Sequence, residues 1–195
     1  MFKIAVLAST NGTDLQAIID ELKAGKMPGI ELTAVLSNKK DCYALTRAKE
    51  QGYQSYFIDP SDKSREEFDR ELAEKLQALS VDLIVLVGYM RILTPQFVRR
   101  FKRRIINVHP SLIPKYCGKD YFGLSVHEAV LKNKETISGM TIHYVDEEVD
   151  SGDIIVQKSC PVDKNDNPDT LKAKVQALEK HWYPEVIRQM ASSKD

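Results

Sequence analysis

Asn107 and His109 are the residues of this sequence with the clearest chemical potential. In extended backbone, side chains two positions apart project to the same side. The proline at 110 biases His109 toward that geometry. A primary amide and an imidazole leaving a strand end together can donate to a developing oxyanion and move a proton. The alternative is a structural histidine hydrogen-bonded beside a proline turn. Asp150 lies in Asp150-Ser151-Gly152-Asp153, after the polar run Asp146-Glu147-Glu148. A carboxylate near an imidazole fixes its tautomer and favours its charged form. A solvated acidic turn is the commoner fate of such a run.

Other clusters offer binding groups. Ser9-Thr10-Asn11-Gly12-Thr13-Asp14 is a short turn ahead of an amphipathic stretch. Free backbone N–H groups at a helix start, with hydroxyls nearby, suit a phosphate. The glycine spacing is neither a dinucleotide fingerprint nor a Walker A loop. It also reads as an ordinary turn with Thr13 or Asp14 as N-cap. Arg91, in the apolar run Met90-Arg91-Ile92-Leu93, can meet an anionic ligand tail or reach solvent. Gln176 and Glu179 are three apart on the expected polar face of the last helix, where they could bind a sugar hydroxyl. His127, His143 and His181 lack metal-ligand spacing, and His143 alternates with apolar neighbours as a buried strand residue would.

The elements that must position these groups follow from the apolar pattern. Strands are expected at 3–8, 31–37, 53–58, 83–87, 105–108, 141–145 and 154–158. Helices are expected at 14–24, 43–51, 64–79, 95–101, 125–132 and 169–190. The first half reads strand then helix four times, and its strands are continuous apolar runs, as in a parallel sheet covered on both faces. Only Asp-Glu-Glu-Val-Asp-Ser-Gly separates the last two strand patterns, too little for a crossover helix. The expectation is an α/β fold: a Rossmann-like, mostly parallel open sheet flanked by helices, antiparallel in its C-terminal half, one domain over 1–195. Such sheets bind ligands beyond the carboxyl ends of their strands, where the clusters above fall.

Composition narrows the function classes. Lys plus Arg is 28 and Asp plus Glu is 28, giving a formal net charge of zero over 195 residues. That argues against a generally polybasic nucleic-acid binder. No apolar run reaches the ~18 residues of a membrane span. Residues 1–7 read as a strand rather than a signal peptide. Three cysteines without C-x-x-C spacing favour neither a disulfide framework nor a cysteine-pair zinc site. The cytoplasm is the expected compartment.

Four segments in this order resemble the phosphoribosylglycinamide formyltransferase family, folate-dependent enzymes of purine synthesis. They are Val6 to Ile18 with its Asn-Gly-Thr-Asp-Leu-Gln loop, Val87 to Leu93, Ile106 to Lys115 with Asn-x-His-Pro-Ser, and His143 to Gly152. The resemblance implies Asn107, His109 and Asp150 as a catalytic trio. It implies that Asn11, Gly12, Thr13 and Asp14 hold a ribonucleotide phosphate and that Gln176 and Glu179 touch the ribonucleotide. It places Met90, Arg91, Ile92, Leu93 and Val98 around the folate, with Arg65 and Arg91 near its glutamate tail. The implied reaction moves a formyl group from 10-formyltetrahydrofolate to the amine of glycinamide ribonucleotide, without a metal. The implied partners are small molecules, with neither nucleic acid nor membrane, and the chain acts as a monomer or homodimer. Two alternatives are formyltetrahydrofolate hydrolysis, with water replacing the amine, and a non-catalytic Rossmann-like nucleotide binder. Two departures stand out. The family loop usually ends in asparagine where Asp14 stands, and a carboxylate repels a phosphate unless it points away. The segment from Cys117 to Leu124 is longer than in shorter members.

Overall fold

Leu83–Val87 is apolar and buried at every position, so it belongs in mid-sheet with cover on both faces. It forms β4 of a seven-stranded sheet in the computed structural model, which describes residues 1–193. The other strands are β1 (Phe2–Ala8), β2 (Ile30–Ser37), β3 (Ser55–Phe57), β5 (Ile105–His109), β6 (Ile137–Tyr144) and β7 (Ile154–Pro161). The helices are α1 (Thr13–Lys23), α2 (Tyr43–Glu50), α3 (Arg65–Ala78), α4 (Pro95–Arg100), α5 (Leu124–Lys132) and α6 (Pro168–Ser192). The strand order is β3-β2-β1-β4-β5-β6-β7. β1 to β5 pair in parallel, whereas β5–β6 and β6–β7 are antiparallel. The order reverses between β1 and β4, which opens a crevice at their carboxyl ends.

Alternation along the central strands feeds two cores. Ile4, Val6, Val85 and Val87 join the cluster that includes Leu15 and Ile18 of α1 and Val175, Tyr183 and Ile187 of α6. Ala5, Leu7, Ile84 and Leu86 join the cluster of Phe68, Leu72 and Leu76 of α3 with Phe97 of α4. The α3 start signal in the sequence is a capping box: Glu67 N–H donates to Ser64 Oγ at 3.2 Å, and Ser64 N–H donates to Glu67 Oε2 at 2.8 Å. Tyr183 carries its hydroxyl under the sheet, 2.7 Å from the Leu86 carbonyl and 3.1 Å from that of Ile106, where β4 and β5 run out.

The late hairpin is longer than the sequence pattern suggests. β6 begins at Ile137 rather than 141, and β7 continues to Pro161 rather than 158. Gly139 hides the start of β6, because an isolated glycine reads as a break. Here it permits close approach: a Cβ at Gly139 would lie 2.1 Å from the Lys158 carbonyl oxygen. Gly139→Ala is expected to cost about 2–3 kcal/mol through this overlap. In urea the midpoint falls while the slope is unchanged.

Candidate active site

β1, β4 and β5 are parallel, so their carboxyl ends emerge together. The turns that follow are tied to each other. Ser9 N–H donates to the Gly88 carbonyl at 3.2 Å, and Ser9 Oγ accepts from Met90 N–H at 2.9 Å.

Asn107 and His109 share the site-facing side of β5, as their spacing predicts. The antiparallel partner β6 sets His143 opposite Asn107 and Thr141 opposite His109. His143 Nδ1 lies 2.8 Å from the Tyr144 carbonyl, an acceptor, so this nitrogen carries the proton. Burial lowers the pKa of His143, the bond to Tyr144 and the nearby Asp150 opposing it. The neutral ring then presents an Nε2 lone pair, and Asn107 Nδ2 donates to it at 3.3 Å. This contact orients the amide and leaves its second N–H for a ligand.

Asp150 arrives on the β6–β7 loop. Its Oδ2 lies 3.6 Å from His109 Nδ1 and its Oδ1 lies 3.6 Å from His143 Nε2. Gly118 N–H donates to Asp150 Oδ2 at 2.9 Å. The other ring nitrogen of His109, Nε2, donates to the Tyr116 carbonyl at 2.8 Å. One carboxylate thus faces two imidazoles, and the 116–118 backbone holds the first imidazole and the carboxylate together. Asp150 has φ 56°, left-handed backbone that costs an L-residue about 1–3 kcal/mol. The surrounding contacts sustain that strain where the carboxylate is aimed.

These groups line one wall of a cleft of about 420 Å³. Met90, Arg91, Ile92 and Leu93 line it. Met90, Ile92, Phe122 and Val149 expose apolar surface along it, which suits an aromatic ligand. Arg91 stacks its guanidinium 4.2 Å from the Phe68 ring centre. Arg65 and Val98 lie behind this wall. Arg65 donates to the Ile92 carbonyl at 2.8 Å and the Leu93 carbonyl at 2.7 Å, bracing the loop. Val98 is buried in the core beneath it.

Residues 11–14 lie beside the cleft, joined to it through Ser9. Gly12, not Thr13 or Asp14, is the α1 N-cap; its φ of 68° is left-handed backbone that favours glycine, and no side chain caps the helix. Thr13 and Asp14 are the first helical residues. Asp14 is buried in the first turn of α1, a helix that packs against α6. Burial lifts its carboxyl to about 6, against a lowering influence from Lys180. Glu179 is buried as well, not on an open polar face, because α6 packs against both α1 and α5. Burial first and Asp14 second raise Glu179 well above the usual carboxylate range, with Lys172 and Lys180 opposing. Gln176, one turn earlier, is half-buried.

The sequence alone did not single out His143, Tyr116 or Gly118 for this site. Thr141 and His143 alternate as strand partners of Asn107 and His109 would, and that pattern was available for His143. Tyr116 and Gly118 contribute through backbone groups, which residue type does not reveal.

A sequence profile for the formyl transferase family matches residues 2–187. The chain belongs to this family. It is 42% identical over 189 residues to phosphoribosylglycinamide formyltransferase of Haemophilus influenzae, covering 96% of this chain and 86% of that one. The Escherichia coli enzyme of the same name is 41% identical over 192 residues, covering 98% of this chain and 88% of that one. The crystal structure of glycinamide ribonucleotide transformylase 1 from Symbiobacterium toebii superposes with a TM-score of 0.92 at 39% identity, covering 99% of this chain and 89% of that one. The protein is a formyltransferase, and its mostly parallel sheet with an antiparallel C-terminal half is the fold of its relatives.

Proposed function

We propose that this formyltransferase moves a formyl group from 10-formyltetrahydrofolate to the amine of glycinamide ribonucleotide. The observation that carries this reading is the convergence of Asn107, His109 and Asp150 on one wall of a cleft with exposed apolar residues. The folate supplies the formyl carbon and suits the cleft through its planar rings, which Met90, Ile92 and Phe122 can cover.

The substrate amine attacks the formyl carbon, forming a C–N bond and moving an electron pair onto the formyl oxygen. Asn107 donates its free N–H to that oxygen, held in place by its bond to His143. His109, with Asp150 facing Nδ1, offers a proton route beside the same carbon once its Nε2 turns from the Tyr116 carbonyl to the ligand. The proton lost by the amine is matched by the one gained at the departing folate nitrogen. Holding amine and carbon in contact contributes further, since orientation alone lowers a bimolecular barrier by several kcal/mol. The turn at 11–14 takes the phosphate on backbone N–H groups at the start of α1, and Gln176 approaches the ribose. The cytoplasm is the proposed compartment.

The test is to mix the protein with glycinamide ribonucleotide and 10-formyltetrahydrofolate and follow deformylated folate by absorbance. Turnover that requires both substrates is expected. Formate release without ribonucleotide would indicate hydrolysis instead, and no turnover would end the proposal. In the same assay Arg91→Ala should raise KM about 10-fold for a polyglutamylated folate, one lost charge-assisted contact, and much less for a folate lacking the tail. Equal losses for both would remove Arg91 from tail binding.

A further inference from the structure

Glu135 stands in the turn between α5 and β6 and does not line the cleft. Two neighbouring residues reach its carboxylate. Lys115 Nζ donates to Oε1 at 2.9 Å and to Oε2 at 3.2 Å, and the Tyr116 hydroxyl donates to Oε1 at 2.9 Å. The Lys115 bond and then the Tyr116 bond hold the Glu135 carboxyl below the usual carboxylate range, so it stays charged. Lys115 is largely exposed, and its ion pair alone contributes little. The Tyr116 hydroxyl makes a charge-assisted bond from a half-buried side chain. Tyr116 has φ 53°, left-handed backbone that a bulky L-residue adopts only where its surroundings impose it. Its carbonyl meets His109 Nε2 at 2.8 Å, and two residues on Gly118 N–H meets Asp150 Oδ2 at 2.9 Å.

Up to Lys115 the chain is tied to the sheet. Ile113 N–H donates to Thr141 Oγ1 at 3.1 Å, Gln157 Nε2 donates to the Ile113 carbonyl at 2.7 Å, and Ser111 Oγ donates to the Lys115 carbonyl at 2.6 Å. Beyond it the bonds turn local: Tyr121 N–H donates to the Gly118 carbonyl at 3.1 Å. Local bonds shape a turn without fixing its height above the sheet. The Tyr116 side chain supplies that anchor, and it goes to Glu135. We infer that Glu135 is a positioning residue for this active site: by holding the Tyr116 hydroxyl it sets the Tyr116 carbonyl and the Gly118 N–H so that His109 and Asp150 face each other. The inference rests on the proposed roles of His109 and Asp150. In that reaction the imidazole leaves the Tyr116 carbonyl for the ligand, while Gly118 N–H keeps the carboxylate in place. The gain is preorganisation: the ring turns from one defined start toward a carboxylate that does not wander.

Tyr116→Phe deletes one hydroxyl and leaves the backbone carbonyl and the ring contact with Tyr121. It is expected to lower kcat about 10-fold, the order of one lost charge-assisted bond, with KM for both substrates little changed. Glu135→Ala should match it, and the double variant should be no worse than either change alone, because both act through one bond. Glu135→Gln keeps an acceptor for the hydroxyl and should recover most of the lost kcat. A nitrogen-15 NMR spectrum of the substrate-free protein, with His109→Gln to assign the signal, reads the tether itself. The His109 Nε2–H proton should exchange with water about 10-fold faster in Tyr116→Phe and in Glu135→Ala than in the intact protein. Unchanged exchange, or unchanged kcat, in both variants overturns the inference and leaves the substrate assignment standing. A loss in Glu135→Gln equal to that in Glu135→Ala overturns it as well, since the hydroxyl bond would not be the cause. Intact protein that transfers no formyl group ends the substrate assignment, and the exchange rates then decide the tether on their own.

Discussion

Asn107→Ala is expected to lower kcat by about 100–1000-fold, the usual consequence of losing one oxyanion donor. KM for both substrates should stay within a few-fold, because the amide is used when charge reaches the formyl oxygen rather than when ligands dock. The size of the effect comes from preorganisation. His143, neutral in its buried setting, accepts one amide N–H and so fixes the direction of the other. No rotation is needed at the moment of reaction. The removed group lies at a half-buried strand end beside the cleft, so the fold should survive. Steady-state kinetics beside a thermal melt check this. Turnover near the unmodified rate would remove Asn107 from the mechanism.

Asp150→Asn is the second large effect, on the order of 10²–10⁴ in kcat, the range for loss of acid–base function. The replacement is well controlled. Asparagine tolerates left-handed backbone as well as aspartate does, so the φ of 56° adds no new strain. Its side-chain oxygen can still accept from Gly118 N–H. What disappears is the negative charge facing His109 and His143. An unchanged melting temperature with collapsed kcat is the expected pair of results. Activity within about threefold of the unmodified protein would show that the charge has no catalytic role.

Much of this fold could be read before any coordinates, for concrete reasons. Leu83–Val87 has no polar face, and a strand buried on both sides must lie mid-sheet. Ser64 and Glu67 announce a helix start through a local bond that needs no tertiary context. Asn107 and His109 signal a shared face by their spacing alone. The parts that escaped depend on partners distant in the chain. His143 becomes a site residue only through the register of β6 against β5. Tyr116 acts through a carbonyl, which any residue owns. Glu179 sits at a helical position that reads as polar, and only the cover supplied by α1 and α5 makes it interior. Gly139 reads as punctuation until the carbonyl of Lys158 is placed against it.

The change from parallel to antiparallel pairing at β5 and β6 has a consequence for how such a protein can diversify. Asn107 and His143 are rung-mates of a single ladder, so their spacing is inherited from the sheet and is indifferent to the length of the connection between them. The 35 residues that separate them can lengthen or change composition without detuning the amide. Evolution is thereby given a fixed instrument with replaceable surroundings: new ligand preferences can be tried in the loops while the reactive geometry is kept in trust by the backbone.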